Sequence, residues 1–387
     1  MFLKKIIATI IAVITMFIYL SLFAWSVEPA VAAECAALMC VETGEILYQQ
    51  NAHKKHLMAS TTKIMTALLA IEAGCPEKAV KVTDKMVKVE GTSMGLLDGD
   101  KVTVRALIYG MLLKSGNDAA NVTAYIFGGD IEKFASMMNE RAKEIGMNNT
   151  NFVTPSGLDH EEHYSTAYDM ALLGCEAIKN VEFKEACSTK SARFSYGNPP
   201  YIRMLTSHNR LLHSYSGCIG IKTGFTKKSG RCLVSAAQRD GVTLVAVTLN
   251  SKSDWKDHTK MLDYGFTQVS VTELNNDLSN VDLQIFGGEK RFISVRCVGE
   301  PKAVYRIDED VIVEKRVLIK QFEFAPISQG KIVGSVEYYK DNKLVCEVPI
   351  VTNESVNIKK VSEPTADNNG KHIGNIINQI KDFFRRG

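Results

Sequence analysis

Charge of one sign, paired cysteines and basic tracts are what this chain has least of. Its 46 lysines and arginines face 43 aspartates and glutamates, a formal charge of +3 over 387 residues. That is too small to draw the chain onto nucleic acid, and no lysine/arginine run is interleaved with aromatics. The nine cysteines are odd in number, scattered and without a Cys-x-x-Cys pair, which argues against zinc and redox centres and against a compact disulfide scaffold. Most are expected to be buried thiols, with Cys218 and Cys232 a candidate pair across two strands. Long apolar runs are also missing, with one exception at the start. Lys4 and Lys5 precede an apolar stretch from Ile6 to Trp25, and Pro29 and the small residues Ala30, Val31, Ala32 and Ala33 follow it. This is the pattern of an export signal over residues 1–33, cleaved after Ala32 or Ala33, with an uncleaved anchor as the alternative. The bulk of the chain is then expected outside the cytoplasm, on the outer face of the cytoplasmic membrane.

What is present is ordinary globular composition, 45% hydrophobic and 23% charged, with room for two domains. Ala36 to Leu47 reads as two short strands about a Thr-Gly turn. In LMASTTKIMTALLA, from Leu57 to Ala70, Ser60 and Lys63 stand three apart where an apolar helix begins, on one helix face. A serine with a lysine beside it is a nucleophile with its own base, provided that burial or a second cation keeps the lysine neutral. The ordinary role of Ser60 or Thr61 there is an N-cap, and Ser-x-x-Lys recurs at Ser253 and Ser328. The tetrapeptide alone does not decide.

Leu107, Ile108, Met111 and Leu112 form a helical stripe that ends at Ser115-Gly116-Asn117, with a second helix expected from Asn121. Ser115 is a candidate proton relay and Asn117 a candidate amide-holding group, although Ser-Gly-Asn is also a common turn. The Pro-, Gly- and Ser-rich stretch from Asn148 to Asp169 is a loop of a length that tends to line a site. GCIGIKTGF, CLVSAAQ and VTLVAVTL read as three antiparallel strands. Lys222, on the first of them, is placed to lower the Lys63 pKa and to hold a carboxylate or the Ser115 hydroxyl. Two rival readings stand beside these. Gly91 to Gly95 matches the Gly-x-Ser-x-Gly elbow of an esterase with Ser93 as nucleophile, but a turn follows it instead of a helix. His53/His56 and His160/His163 repeat His-x-x-His, one residue short of a metalloprotease motif, and are expected to be solvated loop histidines.

Each fragment is weak by itself, yet the order Ser60-x-x-Lys63, Ser115-Gly116-Asn117 and Lys222-Thr223-Gly224 is specific. With TGEILYQQNA, PSGLD, HYSTAYDM and GIKTGFT around these motifs, the chain resembles low-molecular-mass penicillin-binding proteins of the D-alanyl-D-alanine carboxypeptidase family. The resemblance implies an α+β fold of the serine β-lactamase/DD-peptidase type, an antiparallel sheet flanked by helices over residues 34–270. It implies a substrate, peptidoglycan stem peptides ending in D-Ala-D-Ala, and covalent inhibition by β-lactam antibiotics. No metal and no organic cofactor are implied. In this resemblance Ser60 attacks, Lys63 is its base, Ser115 passes a proton to the leaving D-alanine and Asn117 holds the peptide. Lys222 and Thr223, with Gly224 behind them, bind the terminal carboxylate. Backbone N–H groups of Ser60 and Phe225 form the oxyanion hole. Ile219 stands where many relatives have an acid, and an arginine is missing near Thr243, which leaves Arg210 or His208 to compensate. A β-lactamase, with Glu161 or Glu162 activating water, a DD-endopeptidase and a catalytically silent wall-binding module are the alternatives.

After Phe266 short alternating runs indicate a small all-β domain over residues 271–361. A polar linker and an amphipathic helix complete residues 362–387. Its apolar stripe of Ile373, Ile376, Ile377, Ile380, Phe383 and Phe384, beside Lys371, Lys381, Arg385 and Arg386, suits an anionic membrane surface.

Overall fold

The computed structural model describes residues 27–309 and 312–360, in two compact units. Residues 1–26 of the expected export signal and the whole of the expected amphipathic tail lie outside the described residues. The first unit takes residues 27–272 and 304–309, the second 273–303 and 312–360. Strands of the first unit are β1 (Cys35–Cys40), β2 (Ile46–Gln50), β3 (Ala79–Lys81), β4 (Lys101–Thr103), β5 (Ser191–Gly197), β6 (Pro200–Thr206), β7 (Cys218–Thr226), β8 (Gly230–Arg239) and β9 (Val242–Leu249). The main sheet has the order β2-β1-β9-β8-β7 and is antiparallel throughout, while β3 to β6 form a smaller sheet of four.

Burial on both faces explains why β1 is written as an unbroken apolar run and β9 as one interrupted only by Thr243 and Thr248. Successive side chains still alternate between faces. Ala37 and Met39 of β1 and Val245 and Val247 of β9 join one core, whereas Ala36, Leu38, Leu244 and Ala246 join the other. The first core packs the helices Lys63–Glu72, Val104–Leu112 and Ala167–Lys179; the second packs Met261 and Leu262 of the helix Asp254–Gln268. His258 locks that last helix to the sheet, fully buried, with Nδ1 2.5 Å from Ser235 Oγ of β8 and Nε2 2.9 Å from Thr248 Oγ1 of β9.

The helix expected from Asn121 begins at Asn117, so four residues, Leu113 to Gly116, make the whole break between two helices. Cys218 and Cys232 are not a pair. The β7–β8 register sets Cys218 opposite Ala237 and Cys232 opposite Gly224, and both remain thiols.

After β10 (Val269–Glu273) the chain enters the second unit with β11 (Asp282–Phe286) and β12 (Phe292–Cys297), then comes back through β13 (Lys302–Arg306), which pairs with β10. Ala303 to Ile307, expected among the all-β strands, therefore serves mostly the first unit. Strands β14 (Glu314–Ile319), β15 (Phe322–Phe324), β16 (Ile332–Lys340) and β17 (Lys343–Thr352) complete a six-stranded sheet of order β14-β16-β17-β12-β11-β15. Its core holds Leu283, Ile285, Ile293, Val295, Val336, Tyr338 and Ile350.

Burial holds the His258 pKa down at about 3, against an ordinary 6.5. The unfolded chain therefore binds a proton first, and stability present above pH 6.5 is lost as the pH falls toward 3, on the order of 1 kcal/mol per pH unit. Thermal unfolding of the wild type should show that slope, and His258→Asn should flatten it at some cost in stability at neutral pH; an unchanged slope would remove His258 as its source.

Candidate active site

Ser60 sits in a 3-10 turn, Ala59–Thr62, that leads directly into the apolar helix Lys63–Glu72. Thr61 supplies the local hydrogen bond to the preceding turn, from Oγ1 to Met58 O at 2.6 Å, which leaves the Ser60 hydroxyl free of any capping role. Lys63 is completely buried one turn on. Its Nζ donates to Ser60 Oγ at 2.9 Å, to Asn117 Oδ1 at 2.7 Å and to the Ser156 carbonyl at 2.6 Å. None of these acceptors is a carboxylate. Burial, and then the charge of Lys222, push the Lys63 pKa well below 10.5, and Asp118 opposes them only in part.

Two glycines let neighbouring segments close on the turn. Gly157, at φ +83°, brings the loop of Ser156 so near that a Cβ there would lie 1.9 Å from Ala59 O. Gly224 of β7 passes so close that a Cβ would be 3.0 Å from the Ser60 nitrogen. The strand therefore runs against the nucleophile's backbone, and Lys222, two residues before, points inward. It is buried, and Nζ donates to Ser115 Oγ at 3.0 Å and to Thr223 O at 2.7 Å. Burial lowers its pKa to about 7. Ser115 reaches it from the helix break, with φ +62° and almost no exposure.

Sequence reasoning missed the next residue, Asp118. Its Oδ2 accepts from Ser93 Oγ at 2.6 Å and from the backbone of Gly95 and Leu96, and Oδ1 accepts from Met94 N at 2.9 Å. Ser93 is thus a strut of a loop tied to the helix start, with no strand–turn–helix elbow about it, and the esterase reading falls. Asn117 fixes the same loop by donating from Nδ2 to Glu90 O at 2.7 Å. The histidine expectation also needs correcting, in part at His56, which is half-buried with Nδ1 2.7 Å from Leu57 O, and fully at His163. His163 is buried, because its Nδ1 accepts from Val153 N and its Nε2 lies 2.9 Å from Thr62 Oγ1, next to the nucleophile. Burial brings its pKa to about 4. His53 and His160 are exposed, and among the described residues no cluster of His, Cys, Asp and Glu is arranged to hold a metal.

Ser60 and Phe225 line both halves of the surrounding cleft. One half, about 340 Å³, is walled by Ser115, Thr223, Gly224, His208, Arg210 and Arg231. Arg231 is held there by Asp254, which accepts from Nε and Nη2 at 2.8–3.0 Å. The other, about 500 Å³, is walled by Asn117, Glu90, Ser156 to Asp159 and Lys227. Thus His208 and Arg210, read as substitutes for missing charge, do face the first half. Arg231, unremarked in the sequence, faces it too from the start of β8. Ile219 and Thr243 wall neither half, and Glu161 and Glu162 are likewise absent from both.

Residues 24–253 match the D-alanyl-D-alanine carboxypeptidase family of peptidases, and residues 266–357 match the C-terminal domain of penicillin-binding protein 5. The D-alanyl-D-alanine carboxypeptidase DacF of Bacillus subtilis is 32% identical over 340 residues, 85% of this chain and 87% of that one. A crystal structure of the D-alanyl-D-alanine carboxypeptidase DacD from Francisella tularensis superposes with a TM-score of 0.60 at 26% identity, covering 86% of this chain and 95% of that one. The Streptomyces K15 DD-transpeptidase gives 0.59 at 34% identity, covering 62% of this chain and 98% of the other. A cleft serine bonded to one buried lysine and facing a second, on this sheet and with these relatives, identifies the chain as a member of the D-alanyl-D-alanine carboxypeptidase family, a serine hydrolase.

Proposed function

We propose that this chain removes the terminal D-alanine from peptidoglycan stem peptides through an acyl-enzyme on Ser60. The observation that carries the assignment is the environment of Lys63: an amine buried among neutral acceptors, within hydrogen-bond reach of the Ser60 hydroxyl and depressed in pKa. A neutral amine there can take the Ser60 proton as Oγ attacks the carbonyl of the penultimate D-alanine. The N–H groups of Ser60 and Phe225 would receive the developing oxyanion, which the close approach of β7 to the 3-10 turn favours. Ser115, bonded to Lys222, would deliver a proton to the departing amine. Lys222 and Thr223 would hold the terminal carboxylate, with Arg210 adding positive charge to that half of the cleft, whereas Asp254 balances the Arg231 charge and burial keeps the His208 pKa below its ordinary value. Asn117 would align the peptide from the other half, and water would then release the shortened stem peptide. β-Lactams would acylate the same hydroxyl. Glu161 and Glu162, the carboxylates that a β-lactamase reading would use to activate water, wall neither half of the cleft.

We further propose that the enzyme works outside the cytoplasm on a membrane surface, exported by residues 1–33 and held by the basic amphipathic segment from Lys371 to Gly387. The apolar and basic residues of that segment recur at helical spacing after a polar linker.

Three outcomes are expected. Intact-mass analysis with benzylpenicillin should show one persistent adduct that Ser93→Ala retains and Ser60→Ala loses, with D-alanine release falling by more than about 1000-fold in the latter; an adduct on Ser60→Ala would refute the nucleophile. The acylation rate should rise with pH along a limb set by Lys63, below the ordinary lysine range. Removing the neighbouring cation in Lys222→Gln should raise the Lys63 pKa and move that limb to higher pH, whereas an unmoved limb would show that the two amines do not communicate. Deleting residues 371–387 should free the enzyme from vesicles without changing turnover.

A further inference from the structure

The second unit carries an apolar surface that its own core does not explain. In β11, Leu283 and Ile285 point into the core, so Gln284 and Phe286 must point out. Pairing carries that outward face across the sheet. Gln284 stands opposite Phe292 of β12 on one side and Phe322 of β15 on the other, and Phe286 stands opposite Phe324. Four phenylalanines thus share one solvent-facing side of a sheet edge. Phe286, Phe292, Phe322 and Phe324 are 43%, 51%, 44% and 64% exposed. Three of them stack on one another, with ring centroids 5.2 Å apart for Phe286–Phe322, 5.6 Å for Phe322–Phe324 and 6.1 Å for Phe286–Phe324. Single exposed rings are common in soluble proteins, but a stacked set on an edge strand is an aggregation hazard unless something covers it.

The place of this patch says what covers it. The last described strand-like contact of the chain is the bridge between Gly288 and Ile358, and Lys359 N donates to Gly287 O at 2.9 Å. The chain therefore leaves the unit one residue from Phe286, through the exposed Ile358 and the cations Lys359 and Lys360. Only about ten residues of polar linker then separate it from a segment written with an apolar stripe and four basic side chains. Arg291 lies over the Phe292 ring, its guanidinium carbon 5.6 Å from the centroid. Aromatic rings rimmed by lysine and arginine, at the root of a basic amphipathic tail, are the chemistry of an anionic bilayer interface.

We infer that the face formed by Phe286, Phe292, Phe322 and Phe324 is a second lipid-contact surface, which enters the headgroup region of an anionic membrane next to the tail. The inference extends the tail reading above but makes its own demand, that the rings themselves meet lipid. A tail acting alone as a tether leaves the patch in water. A patch and tail acting together bind with the summed apolar area and fix the orientation of the second unit against the surface.

The test uses the chain from residue 27 to 387, which keeps every described contact, with phosphatidylcholine vesicles made with and without phosphatidylglycerol. Phe322→Ser/Phe324→Ser should weaken partition to the anionic vesicles on the order of tenfold, the effect of withdrawing about one well-buried ring. Benzylpenicillin acylation, which reads Ser60 in the first unit, should be unchanged. In Phe324→Trp, emission should shift to the blue on addition of anionic vesicles. Unchanged partition of the double serine variant would overturn the inference. So would Phe324→Trp emission that is already blue without lipid and moves to the red when residues 371–387 are deleted, because the tail itself would then be the cover. A blue shift that follows protein concentration without lipid would equally overturn it in favour of a second copy of the chain. Deleting residues 371–387 separates the two readings: a tail that proves dispensable fails the tether, whereas serine substitutions without effect fail the patch alone.

Discussion

Two lysines buried within one site are the constraint on which the rest of the first unit depends. An ammonium group without a carboxylate partner is costly in a protein interior, and two of them raise the cost for each other. The chain meets this by surrounding each amine with neutral oxygen acceptors: Ser60, Asn117 and Ser156 for Lys63, and Ser115 and Thr223 for Lys222. The remaining strain is released by lowering both pKa values, and a lowered lysine pKa is what a base for a serine hydroxyl requires. Stability and reactivity are therefore set by the same burial.

The architecture follows from bringing those acceptors together. Four separate segments must meet: the 3-10 turn, the helix break at Ser115, the loop of Ser156 and β7. Gly157 and Gly224 remove the side chains that would keep two of them apart. Asp118 ties the loop of Ser93 to the helix that begins at Asn117, closing one wall of the cleft. Behind them the central strands of the sheet are buried on both faces, and His258 pins the sheet to its outer helix. The second unit obeys a simpler rule of inward and outward alternation, and the four phenylalanines that this rule turns outward at one edge are its most informative feature.

Much of this was legible in the chain itself. The period-two and period-3.6 patterns gave the strands and helices, and the ordered motifs pointed to one chemistry. Where reading failed, the cause was in each case a contact between distant segments. His163 looks like a loop histidine because nothing local says that Thr62, 101 residues away, and the Val153 amide will enclose it. Asp118 reads as an ordinary first-turn acid until the loop from Ser93 folds over it. Ser93 itself passes for a nucleophile on spacing alone.

The sequence by itself determined which residues could react and in what order the elements come, because hydrophobic periodicity and turn chemistry are local. Only the tertiary structure decided that Lys63 has no carboxylate bonded to it, that Cys218 and Cys232 lie too far apart in register to join, and that Arg210 and Arg231 arrive at one wall from different strands and turns. Burial and electrostatic coupling are properties of what lies nearby in space, and a linear chain does not carry them until it has folded.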